Sequence, residues 1–371
     1  MSERILITGG AGFIGSHVGR ALLEQGHEVR ALDSLTEQVH GGPVRPKYLE
    51  RDIELIAGDV RDRAMLERAL EKIDIVVHLA ARVGVGQSMY EIADYQSVNA
   101  YGTAVLLEAL MDRPIRKLLV ASSMSIYGEG LYRTADGRIA EAAGRSRRQL
   151  ERDEWEPHGR AGLRLTPLPT PEWKQPSLSS IYALGKYDQE RMCLMFGAAY
   201  GVPTVALRLF NVYGRDQALS NPYTGVLAIF ASRLLNDRPP LVYEDGEQRR
   251  DFVSVSDVAQ AFVLALERSD ADGMALNVGS GESVTVCEIA RGLARVVGKD
   301  HIDPEITGKY RVGDIRHCFA DIGLARRTLG FEPHVSLDEG MAELAGWLEG
   351  QAAEDRAEDA ATELATRGLT L

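Results

Sequence analysis

Tyr182 and Lys186 stand four residues apart in the run Tyr182-Ala183-Leu184-Gly185-Lys186. On a helix that spacing sets both side chains on one face. An ammonium beside a phenol stabilises the phenolate and draws its pKa from about 10 toward neutrality, which makes it a usable general base. An exposed helical pair is the competing reading of these two residues alone. A second group of hydroxyls stands in Ala121-Ser122-Ser123-Met124-Ser125-Ile126-Tyr127-Gly128, directly after an apolar strand pattern. A serine at the C-terminal end of a parallel strand can hold a substrate oxygen for the tyrosine. For Ser122 and Ser125, turn serines satisfying the backbone are the alternative.

A phosphate cradle accompanies them. Ile5-Leu6-Ile7-Thr8-Gly9-Gly10-Ala11-Gly12-Phe13-Ile14-Gly15 reads as a strand, a tight turn and a helix N-terminus, the geometry that holds a pyrophosphate on free backbone N–H groups. The glycines fit G-x-G-x-x-G (Gly10, Gly12, Gly15) and equally G-x-x-G-x-x-G (Gly9, Gly12, Gly15). Asp33 ends the next strand pattern, 18 residues after Gly15. A carboxylate there accepts from an adenosine 2′-OH and repels a 2′-phosphate, which favours NAD over NADP. Asp59 is a candidate for the adenine rim, or a strand-end cap.

These residues need a frame. Strand patterns at 5–8, 28–33, 53–57, 75–81 and 117–121 alternate with helical ones at 13–25, 62–71 and 92–111. Such alternation predicts right-handed βαβ crossovers and a Rossmann-type α/β fold, a doubly wound parallel sheet. The rhythm breaks over 128–177, which is rich in Arg, Glu, Gly and Pro. Residues 145–155 could form a polar helix there, and the whole stretch reads as a surface excursion or a substrate lid. Order returns with a helix at 182–200 and a strand at 204–209. The expected division is a cofactor domain over 1–209 and a smaller C-terminal α/β substrate domain over 210–350, with 250–270 returning to the first. The polar tail, 351–371, is expected to fray. Lys plus Arg number 42 against 54 Asp plus Glu, a net charge of −12, so neither nucleic acid nor an anionic membrane surface is an expected partner. The three cysteines, Cys193, Cys287 and Cys318, form no C-x-x-C pair. That suggests reduced thiols, a cytoplasmic setting and no metal site.

Taken together, the glycine turn, the strand-end serines and the Tyr/Lys pair resemble the extended short-chain dehydrogenase/reductase superfamily, up to about residue 350. The resemblance selects Gly9, Gly12 and Gly15 as the fingerprint, with Phe13 and Ile14 beside them. It implies Ser123, Tyr182 and Lys186 as the catalytic set. Val60, next to Asp59, and Leu79, Ala80 and Ala81 then belong to the NAD site. Asn99 is likened to the family's buried helix asparagine, a residue more often structural than catalytic, and is placed with the NAD site.

The second half resembles the nucleotide-sugar branch. There Asn211, Arg250, Arg311 and Asp314 match segments that contact the sugar diphosphate and ribose, and Thr224, Val226 and Tyr243 are placed near the base. Ordinary salt bridges are the other reading of the two arginines. Dehydratases of the branch carry an Asp-Glu pair after the catalytic Ser/Thr. This chain has Met124-Ser125, and neither can move a proton near neutral pH. Residues 122–131, 220–235 and 249–258 look nearest to dTDP-L-rhamnose 4-epimerase-like and UDP-glucose 4-epimerase-like proteins. The implied activity is C4 epimerisation of a dTDP- or UDP-sugar through a 4-keto intermediate. A decarboxylase or 4-keto reductase on the same scaffold is the alternative, and a catalytically silent NAD-binding regulator a further one. A homodimer is implied through helices 92–111 and 182–200, where Met192, Leu194, Met195 and Phe196 would supply apolar surface or else core.

Overall fold

A computed structural model describes residues 2–142, 144–159, 162–223, 225–311 and 313–370. Its centre is a seven-stranded sheet of β1 (Arg4–Thr8), β2 (Glu28–Asp33), β3 (Glu54–Ala57), β4 (Ile75–His78), β5 (Lys117–Ser123), β6 (Thr204–Leu209) and β7 (Ala275–Val278). The spatial order is β7-β6-β5-β4-β1-β2-β3 and every pairing is parallel. The strands are apolar nearly throughout because helices cover both faces. Side chains alternate between two cores. Ile5, Ile7, Val77, Leu207 and Phe262 fill one, and Leu6, Val76, Leu118, Leu106 and Phe196 the other. This is the expected doubly wound α/β fold. The strand order reverses between β1 and β4, and a crevice opens there at the C-terminal strand ends.

The helices that matter for the site are α1 (Phe13–Glu24), α2 (Gly102–Leu110), α3 (Ile181–Tyr200), α4 (Val226–Leu235), α5 (Val255–Glu267), α6 (Val286–Val296), α7 (Leu337–Leu348) and α8 (Ala357–Thr366). The helix expected over 92–111 is broken by a π-turn at Ser97–Tyr101 before α2 begins. Helix α3 starts sharply because Ser180 Oγ accepts from the Ala183 N–H at 3.1 Å. It stops at Gly201, whose φ of +69° is the left-handed conformation glycine adopts without strain. Helix α5 packs on the sheet as the crossover between β6 and β7, so β7 lies in the main sheet rather than in the smaller unit expected for it. Helices α4, α6 and α7 share a separate core with Tyr213, Val242 and Phe252.

Two segments differ from expectation. Within 128–177, Leu131–Thr134 pairs antiparallel with both Ile139–Glu141 and Leu165–Leu168, and the expected polar helix is a single turn, Arg147–Leu150. The tail does not fray but forms α8. Ala360 and Leu364, four apart, bury one face of it, and the buried guanidinium of Arg233 holds its start through Asp355 at 3.3 Å and Glu358 at 2.8 Å. Of the four apolar residues considered for a partner surface, Phe196 is core, while Met192 and Leu194 pack against it. Met195 alone is exposed.

Candidate active site

The glycine turn between β1 and α1 closes on its own backbone. Gly9 has φ +72°, and a Cβ on it would lie 2.8 Å from the Ala80 nitrogen. A Cβ on Gly15 would meet the Gly9 oxygen at 2.3 Å. These contacts leave no room for a side chain at either position. Gly12 caps the turn: its N–H donates to Gly9 O at 3.2 Å, and its own carbonyl accepts from Ser16. Asp33, at the end of β2, accepts from the Ala11 N–H at 3.0 Å and the Leu35 N–H at 2.9 Å. The Tyr48 hydroxyl, 2.9 Å from Ala11 O, braces the turn from the far side.

The turn forms one end of a cleft of about 2030 Å³. That is twice the upper range of a single small-molecule pocket, so two ligands fit side by side. Gly9, Gly12, Phe13, Ile14, Gly15, Asp33, Asp59, Val60, Leu79, Ala80 and Ala81 line this end, and Ser123, Tyr182 and Lys186 stand in the middle. Asn211, Val226, Tyr243, Arg250, Arg311 and Asp314 line the other end. Thr224 lies outside the described residues. Asp59 is not free: its Oδ1 caps the Arg61 N–H at 2.8 Å just after β3. Burial pushes its carboxyl up, but the Arg61 guanidinium, at 2.6 and 2.9 Å, together with the Arg61 N–H outweighs this and holds it low.

Asn99 has a different place from the one expected. It is fully buried and absent from the cleft lining; its Oδ1 accepts from the Arg82 N–H at 2.7 Å and its Nδ2 donates to Arg82 O at 3.1 Å. It shapes the turn after β4 and does not touch the cavity.

Tyr182 and Lys186 each have a partner of their own in the buried middle of the cleft. Burial pushes the Tyr182 phenol up from its ordinary value, and a hydrogen bond with Ser123 is what works against that. The Lys186 amine is directed elsewhere: it donates to Gln189 Oε1 at 2.7 Å. Burial lowers Lys186 to about 8. A shared helix face sets two side chains near each other but does not decide which partner the longer one takes.

Gln189 was missed by the sequence reading. Its Nε2 lies 3.1 Å from His78 Nε2 and donates to Thr103 Oγ1 at 3.0 Å and Ala80 O at 3.1 Å. His78 Nδ1 in turn lies 2.7 Å from Thr8 Oγ1. Burial lowers His78 to about 3, so it is neutral in the working range. A buried polar chain therefore runs from Lys186 to the end of β1, where the glycine turn begins. Its sequence signals are Gln189 three residues after Lys186 on α3, and polar residues ending both β1 and β4.

At the far end the two arginines differ. Arg250 donates to the carbonyls of Arg249 at 2.9 Å and Arg316 at 3.0 Å and also bonds the Ile315 carbonyl. It has no carboxylate partner among the described residues, so its charge is available to an anion. Arg311 pairs with Asp314 at 3.0 Å and lies 4.9 Å over the Tyr243 ring. Between the ends, Ser123 Oγ accepts from the Ser125 N–H at 3.2 Å and from the Ser125 hydroxyl at 3.0 Å. Ser122 instead donates to Glu190 at 2.6 Å, in the buried ion pair with Arg208, so it is structural.

The model of the NAD dependent epimerase/dehydratase family matches residues 5–145 and 165–279. A dTDP-L-rhamnose 4-epimerase of Burkholderia thailandensis is 37% identical over 352 residues, covering 93% of this chain and 95% of that protein. The solved UDP-glucose 4-epimerase of Thermotoga maritima with UDP-glucose is 32% identical, with a TM-score of 0.77 over 94% of this chain and 99% of that one. The Thermus thermophilus UDP-glucose 4-epimerase in complex with NAD is 30% identical, with a TM-score of 0.74 over 94% and 100%.

Proposed function

The chain belongs to the NAD-dependent epimerase/dehydratase family, and from that membership we propose that it inverts a nucleotide-diphosphate sugar at C4 through a transient 4-keto sugar. The carrying observation is one cleft with a dinucleotide cradle at one end, Ser123, Tyr182 and Lys186 in the middle, and Arg250 and Arg311 at the other. The cradle suits NAD: the turn has no space for side chains at Gly9 and Gly15, and Asp33 stands at the end of β2. Gly9 to Gly15, Asp33, Asp59, Val60 and Leu79 to Ala81 would hold it. NAD supplies a hydride acceptor that becomes the donor for the return step.

The chain's own residues do the rest. Tyr182 takes the 4-OH proton and later returns it. Ser123 holds that oxygen, and the charged Lys186 offsets the phenolate. Arg250 and Arg311 hold the diphosphate, so the sugar can turn while tethered and present its other face. Met124 and Ser125, where a dehydratase would carry its acid pair, leave C5 and C6 untouched. The reading covers dTDP- and UDP-sugars alike, with cofactor residues mainly in 1–209 and sugar-nucleotide residues mainly in 210–350. Among the described residues no helix is long and apolar enough to cross a membrane, and we place the enzyme in the cytoplasm. Exposed Ile92, Tyr101, Leu184, Met195 and Tyr200 support a homodimer across α3.

The test is turnover of a panel of dTDP- and UDP-sugars, read by NMR at C4. Tyr182→Phe should lower kcat at least about 100-fold while bound NAD(H) stays constant. A near wild-type rate would sink the scheme. Net NADH consumption or CO2 release would favour the reductase or decarboxylase.

A further inference from the structure

The described residues of 128–177 reach deep into the molecule without lining the cleft. What they reach is the back of the wall that carries Tyr243, Arg311 and Asp314. Arg145, from this segment, donates to Glu244 Oε1 at 2.7 Å and to Asp314 O at 3.0 Å, so one buried guanidinium ties both halves of that wall together. Glu156 accepts from Arg316 at 2.7 and 3.0 Å and lies 3.0 Å from His317 Nε2. Arg316 is 1% exposed and also pairs with Glu244 at 2.9 Å and Asp245 at 2.6 Å. Trp155 packs on Tyr310, with ring centroids 6.1 Å apart. Residues 155 and 156 fall in the stretch the family model leaves unmatched, 146–164.

We propose that this segment is a buttress that sets affinity for the nucleoside diphosphate, with Arg145 as a positioning residue for Tyr243, Arg311 and Asp314. Two physical effects combine. Tyr243 faces the cleft while the next residue, Glu244, faces back and is 2% exposed, so fixing Glu244 fixes the ring. Charge balance is the second effect. Glu244, Asp245 and Asp314 put three carboxylates in or just behind a wall that is to hold a diphosphate. Arg311 offsets Asp314, and Arg145 and Arg316 offset Glu244 and Asp245 from behind. Without Arg145, Glu244 keeps one guanidinium instead of two, and the wall becomes more negative toward its ligand. The catalytic middle of the cleft stands on β5 and α3, outside this network.

The inference rests on the proposed nucleotide-sugar reading. Its test therefore uses binding of UDP and dTDP to the full-length protein by calorimetry, which needs no turnover. Arg145→Met should raise Kd about tenfold. Arg145→Lys should recover part of the loss, and KM for the sugar nucleotide should rise with kcat within twofold of wild type. Retained NAD(H) should not change. Arg147→Met, at an exposed arginine paired with Glu151 at 2.9 Å, is the neutral control. If Arg145→Met does not fold, Glu156→Gln decides, with a smaller rise in Kd expected. Folded variants that bind both nucleotides like wild type overturn the proposal. So does a loss of NAD(H) parallel to the loss of nucleotide binding, and so does a wild type that binds neither nucleotide. Failure of the epimerase reading shows separately, as wild type that binds nucleotide but turns over no sugar.

Discussion

The charge on Lys186 depends on a residue outside the usual catalytic list. Its amine is 2.7 Å from Gln189 Oε1, and both side chains are buried. An acceptor held that close fixes where an ammonium sits and supports its charge in a place where burial lowers the amine to about 8. Gln189→Leu removes the acceptor and breaks the chain to His78. Hydrogen bonds to charged groups contribute about 1.5–3 kcal/mol, so kcat should fall roughly 10- to 100-fold. The pH profile distinguishes this from simple loss of fold: the alkaline limb set by Lys186 should move to lower pH. An unchanged profile with full activity would show that Gln189 only packs.

Among elements, the segment over 128–177 is where pH should act on stability. Burial pushes Glu156 up, but His317 and Arg316 together outweigh it and bring it to about 2, below an ordinary value of 4.5. A carboxyl lowered on folding stabilises above its unfolded pKa and loses that contribution as pH falls through its folded one. Glu156 therefore stabilises fully above about pH 4.5 and ceases to do so by about pH 2. Thermal melts between those limits should show Tm falling with pH, and Glu156→Gln should flatten that slope. Equal slopes in the two proteins would place the acid sensitivity elsewhere.

For the whole molecule, the C-terminal segment joins the two walls of the cleft. Leu364 packs against Gly86 on one side, Arg367 lies 4.3 Å over the Tyr90 ring, and Arg311 and Thr370 form a β-bridge. On the other side Asp355 pairs with Arg233, which is 3% exposed. Deleting 351–371 removes both carboxylates from Arg233 together with the buried face of Ala360 and Leu364. Tm should drop by about 5 °C or more, and KM for the sugar nucleotide should rise as the cleft opens. Scanning fluorimetry and steady-state kinetics check both, and an unchanged Tm would mean the segment does not dock. An enzyme that returns its hydride each turnover has no need to release its cofactor. NAD(H) should therefore stay with the purified protein, as measured by chromatography of the heat-released nucleotide. Protein isolated free of it would count against epimerisation.

Features that depend on near neighbours were legible in the order of the residues. A glycine turn between an apolar strand and a helix, an acid ending the next strand, and Tyr and Lys four apart are each readable within about twenty residues, because backbone sterics and helical periodicity act over that range. The strand and helix alternation made the doubly wound sheet legible for the same reason. What those side chains touch was set by contacts between segments far apart in the chain. The fold turned Lys186 toward Gln189, placed Asn99 on Arg82 and took it out of the cavity, and, among the described residues, gave a carboxylate to Arg311 but none to Arg250. It also made 128–177 a support in place of a lid, through pairs such as Glu156 with Arg316 that lie 160 residues apart. The tail became a helix because Arg233, far upstream, holds its acids. Such partners leave no periodic trace in the chain, because the side chains that neutralise a buried charge come from distant segments that only folding brings together.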